Sequence, residues 1–191
     1  MTSGVITRGA DMAKQVMTAR LEGSESVMAA LRKLSDARGR VKAGVTEGAA
    51  NDNGKDVLAY APVQEFGGHI PVTDKMRGFL AANYGIHLRK DTTHITIPPR
   101  SFLRTTLQEK GNEWVTFLGR ALNAGRKPED ALELVGGRMQ DDIIAKINSN
   151  MPPPNSAATN FIKQQDAPAA MGKTLQHTGT LIHSINYEVE K

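Results

Sequence analysis

A chain of 191 residues, 39% hydrophobic and 23% charged, is sized for one domain with a buried core, perhaps extended by an arm, and is not disordered as a whole. Its 24 basic and 20 acidic residues are interspersed and leave a formal charge of +4, so the basic face of a dedicated DNA binder is not written into the composition. Cysteine is absent, which excludes disulfides, zinc–thiolate sites and cysteine nucleophiles and fits assembly in a reducing cytoplasm.

Aromatics make up only 5%, so the core must rest on Leu, Ile, Val, Ala and eight Met. The opening MTSGVITRGADMAK has no apolar targeting core, and no apolar run approaches the ~18 residues that mark a membrane span. A soluble protein without membrane contact is expected. Residues 10–21 place Met12, Val16, Met17 and Leu21 near helical spacing, and Gly23 breaks the run. A second helix follows, capped at Ser24 or Ser26, striped by Val27, Leu31 and Leu34 and stopped at Gly39. Residues 1–39 thus read as a helical arm, and 40–191 as an α+β domain.

Within that domain, Val41, Ala43 and Val45 alternate as in a strand, and the turn-rich 48–55 leads to the apolar DVLAYAPV, which predicts a hairpin. QEFGGHIPVT reads as a break, and DKMRGFLAANYG as a short helix ending at Gly85. IHLRKDTTHITIPP reads as a strand pair about Lys90-Asp91, closed by Pro98-Pro99. From 101 to 124, Leu103, Leu107, Trp114, Phe117, Leu118, Ala121 and Leu122 predict a long helix ended by Gly125. Pro128 then opens a second long helix with a face of Ala131, Leu132, Val135, Met139, Ile143 and Ile147, where Gly136-Gly137 must weaken it or admit a close neighbour. Residues 149–172 have no period and read as a long loop; the tail, with Leu181, His183, Ile185, Tyr187 and Val189 alternating, reads as a last strand. The sum is a small, mostly antiparallel sheet packed against two long helices.

Candidate chemistry is sparse. Ala167 to Thr174 loosely matches a phosphate-binding loop, but Pro168 removes a backbone donor, no strand precedes it, and His177-Thr178-Gly179 interrupts the helix it needs. His69, His87, His94, His177 and His183 show no ligand spacing, so no metal site is expected. Neighbouring carboxylates such as Asp141-Asp142 diverge by about 100° on a helix and form no shared-proton pair. No enzyme and no cofactor are expected. Arg100 and Arg104, four apart, can face one side and grip a phosphate or carboxylate; the plainer alternative pairs Arg100 with Glu65 while Phe102 plugs the core.

Five stretches in order carry a resemblance: AYAPVQEFGG, IPVTDKMRGFLAANYG, ITIPPRSFLRTTL, GGRMQDDIIAKI and TLQHTGTLIHSINYEV. Together they resemble the neck or tail-completion (head–tail joining) proteins of tailed bacteriophages, of the minor tail protein Z type. The matching positions are Glu65-Phe66-Gly67, then Ile97 to Arg104 with Arg100, Phe102 and Arg104, then Leu175 to Ile185 with Thr178, Gly179 and Leu181. The likeness covers about 40–191, and the first forty residues take no part in it. It implies a non-enzymatic virion protein at the tail top of a long-tailed phage, assembled in the bacterial cytoplasm. The implied partners are copies of itself in a ring, six-fold to match the tail tube, together with head-closure or connector proteins and tail terminator or tube proteins. DNA would meet the ring only non-specifically. The alternatives are a tail terminator or minor tail protein, and a sequence-independent DNA-binding protein. Glu65, Phe66, Gly67, Arg100, Phe102, Arg104, Thr178, Gly179 and Leu181 are the expected interface residues.

Overall fold

The computed structural model describes residues 32, 39–45 and 57–190. The two arm helices lie outside the described residues, apart from Arg32, which is helical. In chain order the described elements are β1 (Arg40–Val45), a 3-10 turn (Val57–Ala59), α1 (Ala61–Phe66), β2 (Gly68–Pro71) and α2 (Asp74–Tyr84). Then come β3 (His94–Ile97), α3 (Phe102–Asn123), α4 (Pro128–Asn148), α5 (Ala157–Asp166), a 3-10 turn (Pro168–Ala170), α6 (Thr180–His183) and β4 (Ile185–Glu190). No described helix is long and apolar enough to cross a membrane.

The architecture is α+β, built around the α3–α4 hairpin. Its corner follows from the sequence: Gly125, at φ +83°, adopts the left-handed conformation, its N–H bonds to Leu122 O and the Arg126 N–H returns to Ala121 O. Pro128 then occupies the first turn of α4, where its missing N–H costs nothing. Near the corner, Trp114, Leu118, Ala121 and Leu122 pack on Ala131, Leu132 and Val135. At the other end, Phe102 meets Ile143, Ile147, Met151, Leu181 and Ile185.

The strands form two separate antiparallel ribbons, β1–β4 and β2–β3. The alternation of Val41, Ala43 and Val45 is real, but these residues pair with Val189, Tyr187 and Ile185, not with residues just downstream. The expected hairpin fails because Val57–Ala59 is a 3-10 turn followed by α1, with Pro62 in the first helical turn, where a central strand could not hold it; its turn at 48–55 lies outside the described residues. The supposed break at 64–73 contains β2, and the supposed strand pair at 86–97 contributes only β3. Arg77 explains the latter: its guanidinium donates to the carbonyls of Leu88, Arg89 and Thr92, fixing that segment as a loop. The expected 149–172 loop is also corrected. It contains α5, capped by Ser156 Oγ accepting from Thr159 N–H at 3.1 Å. In the tail, Leu181 and His183 lie in the helical turn α6, and the strand begins only at Ile185.

Gly136 shows why α4 tolerates two glycines. A Cβ there would lie 2.2 Å from Tyr187 Cδ2, whereas one on Gly137 would meet Tyr187 Cε1 at 4.0 Å, an ordinary contact. Adjacent substitutions therefore have opposite signs. In urea denaturation, Gly136→Ala is expected to destabilise by about 1–2 kcal/mol through overpacking, and Gly137→Ala to stabilise by up to about 1 kcal/mol through helix propensity. Equal effects would contradict the packing of Tyr187 on Gly136.

Candidate functional site

The expected interface residues fall into two groups either side of the β3–α3 junction. In the first, Glu65 is 3% exposed, at the end of α1. Its Oε2 accepts the Leu103 N–H at 3.0 Å, and its Oε1 accepts the Arg104 N–H at 3.0 Å and Arg104 Nε at 3.1 Å. A helix start leaves such N–H groups without intrahelical acceptors and favours a negative charge there. Ser101, the residue at the cap position, makes no cap bond. Its hydroxyl donates to Glu65 O at 2.8 Å and accepts Arg104 Nη2 at 2.6 Å, so the carboxylate of α1 caps α3 from outside.

Two neighbours complete this clamp. Arg104 lays its guanidinium 4.6 Å from the centroid of the Phe66 ring, which is 63% exposed. Gly67 turns the chain at φ +76°, and a Cβ there would sit 3.0 Å from Ile97 O and from Pro99 N, so both conformation and space call for glycine. Phe102, fully buried, plugs the core as expected.

Arg100 departs from expectation. It precedes the helix, so its spacing from Arg104 is not helical, and the two do not share an anion. Nor does Arg100 pair with Glu65; Arg104 does. Instead Arg100 is 7% exposed and donates from Nε to Pro153 O at 2.9 Å and from Nη2 to Pro154 O at 3.2 Å. It forms part of the wall of a cleft of ≈ 610 Å³, together with Thr178, Gly179 and Leu181. That size falls within the roughly 300–1,000 Å³ of ligand sites.

Lys163, which the sequence gave no reason to single out, lines the same cleft. It is 6% exposed and donates to Lys173 O at 2.7 Å and to Gln176 O. Burial, and then the neighbouring positive charge of Arg100, push the Lys163 ammonium below its ordinary pKa; burial does the same to Arg100. In sequence the 149–172 stretch reads as a loop, and a lysine in a loop reads as solvated. Among the described residues no Asp or Glu side chain lines the cleft.

Elsewhere the chemistry is quiet. Among the described residues no group of three or more His, Asp or Glu could hold a metal ion. In the loosely phosphate-loop-like stretch, Thr174 is buried, its N–H on Asn150 Oδ1 at 2.7 Å and its hydroxyl on Met151 O at 2.9 Å. Both groups are occupied within the fold.

Two predictions follow from the buried charges. Glu65→Ala should cost about 3 kcal/mol, because it strands the amides at the head of α3. Arg104→Ala, removing a half-exposed partner, should cost about 1 kcal/mol. Chemical denaturation of both variants and of the double variant checks this; equal single costs would show the ion pair, not the cap, to be the main contribution. For Lys163, the unfolded state binds more protons between its lowered folded pKa and the ordinary 10.5. Stability therefore rises with pH through that window. Measured against Lys163→Met, the native chain should gain stability from pH 7 to 10, and a flat difference would refute the shift. No protein-family model, curated protein or solved structure matches the chain.

Proposed function

We propose that the chain is a non-enzymatic structural protein of a long-tailed bacteriophage, acting at the neck. As a ring of copies, six-fold to match the tail tube, it would complete the upper end of the tail and join it to the DNA-filled head. Head-closure or connector proteins would lie on one side and tail terminator or tube proteins on the other, and DNA would pass without sequence-specific contact.

One observation supports this reading above others. Three stretches that carry the resemblance, far apart in sequence, converge at the β3–α3 junction. Glu65-Phe66-Gly67 locks onto Pro99 and the head of α3, and Thr178-Gly179 lies across a cleft from Arg100. Their meeting in one region of the fold supports reading the stretches together. Phe66 adds a surface feature suited to assembly, an exposed aromatic ring held by an arginine, and both residue types are enriched in protein interfaces relative to the rest of the surface. The second reading, a tail terminator or minor tail protein, uses the same surfaces and differs in what assembles upon them.

The test is electron microscopy of a lysate of the phage encoding the chain, with an early stop codon in its gene. Filled heads beside separate tails of normal length are expected. Overlong tails would assign the terminator role, and normal infectious particles would overturn the neck reading and favour sequence-independent DNA binding.

A further inference from the structure

The cleft holds two observations that the neck reading does not use. The first is uncompensated charge. Arg100 and Lys163 are both more than nine-tenths buried, the charge of Arg100 is felt at Lys163, and among the described residues no carboxylate lines the space they share. Taking a cation out of water is unfavourable unless an opposite charge or a full set of acceptors replaces its hydration. The acceptors here are neutral carbonyls: those of Pro153 and Pro154 for Arg100, and of Lys173 and Gln176 for Lys163. Arg100 Nη1 has no acceptor among the described residues and is not sealed from solvent. The lysine has a third proton beyond its two carbonyls.

The second observation is an open strand edge. Among the described residues β3 pairs only with β2, in a two-stranded ribbon. Ile95, Thr96 and Ile97 all line the cleft, although successive side chains of a strand point to opposite faces. The cleft therefore meets β3 along its edge, where ladder donors and acceptors are unused. The remaining wall is largely apolar, with Ile162, Leu175 and Leu181.

We infer that this cleft binds an extended segment of a partner protein carrying a carboxylate, the segment adding to the edge of β3 and its carboxylate meeting Arg100 and Lys163. Backbone pairing along an edge strand supplies affinity regardless of sequence, and the two cations fix which side chain is required at one position. Carboxylate and phosphate both suit such cations, but a small phosphate ion leaves the strand edge and the apolar wall unused. A nucleic acid would need cations spaced along a backbone rather than two at one point. The preference belongs to the cleft and holds whether or not the chain sits in a phage neck.

The experiment is selection of a random heptapeptide display library on the full-length chain, followed by synthesis of the recovered peptides. Recovered sequences should carry Asp or Glu at one fixed position flanked by alternating apolar residues. Replacing that acid in the peptide by its amide should weaken binding at least tenfold, a comparison that leaves the fold untouched. In ¹⁵N-labelled full-length chain, the acidic peptide should shift the amides of Ile95, Thr96 and Ile97. Arg100→Met, if its melting stays cooperative, should bind the acidic peptide at least tenfold more weakly and the amide peptide unchanged. Failure to recover any peptide, equal binding of acid and amide, or shifts away from β3 would each overturn the inference. So would inorganic phosphate alone reproducing the shifts and displacing the peptide at millimolar concentration, since the cleft would then be a small-anion site. An oligonucleotide doing the same would reassign it to nucleic acid.

Discussion

The Glu65 carboxylate on the head of α3 is the contact on which the rest of the arrangement depends. A 22-residue helix starting at Phe102 has N–H groups at its first turn that nothing in its own cap satisfies. Glu65 takes two of them with its two oxygens, and because it belongs to α1, that short helix is fixed to the long one. Further backbone restraint follows. The Arg100 N–H donates to Gln64 O at 2.7 Å, one residue before the carboxylate, so the chain entering α3 is held against α1 at both levels. Phe102 is thereby aimed into the core between α4, α6 and β4.

The two sides of this junction handle buried charge differently. Glu65 is almost wholly buried, yet it has a charged donor and two backbone donors, so every kind of compensation is present. Among the described residues, Arg100 and Lys163 have only carbonyl dipoles. A carbonyl satisfies a hydrogen-bond donor without neutralising its charge. The clamp is therefore closed in electrostatic terms and the cleft is open, although the same eight residues, Ile97 to Arg104, contribute to both.

Local signals were legible in the sequence wherever one segment alone determines the outcome. The α3–α4 hairpin could be placed from Gly125, Pro128 and two apolar faces, and α2 from its stop at Gly85. Pairing was not legible. Val41, Ala43 and Val45 state that they belong to a strand but carry no mark naming Val189, Tyr187 and Ile185 as partners across the length of the domain. Leu181 and Ile185, four apart, fit both a helical turn and a continuing alternation, so alternation alone starts the strand one turn too early. Pro62 was a usable warning against the hairpin, since proline suits the first turn of α1 and not an inner strand. For the site, Phe102 is legible as a core plug, whereas Glu65 is legible only as an acid for the arginines, and the sequence pairs it with Arg100 where the structure pairs it with Arg104. The division of labour between Arg100 and Arg104 was not, because it depends on whether the helix begins before or after Ser101. Lys163 left no trace at all, since burial of a lysine is set by what packs over it.

Rigidity connects the clamp to the cleft. Arg100 stands between them in the chain, its N–H on Gln64 O and its side chain on the Pro153 and Pro154 carbonyls. Ser101, next to it, is tied to Glu65 O, and Pro98 and Pro99 restrict the approach from β3. A guanidinium held at two carbonyls and flanked by restrained backbone has little rotamer freedom left to lose when an anion arrives. Preorganisation of this kind raises affinity by reducing the entropy lost on binding rather than by adding contacts. The clamp at Glu65, remote from any ligand, is thus the reason the cleft can present its charges already in place.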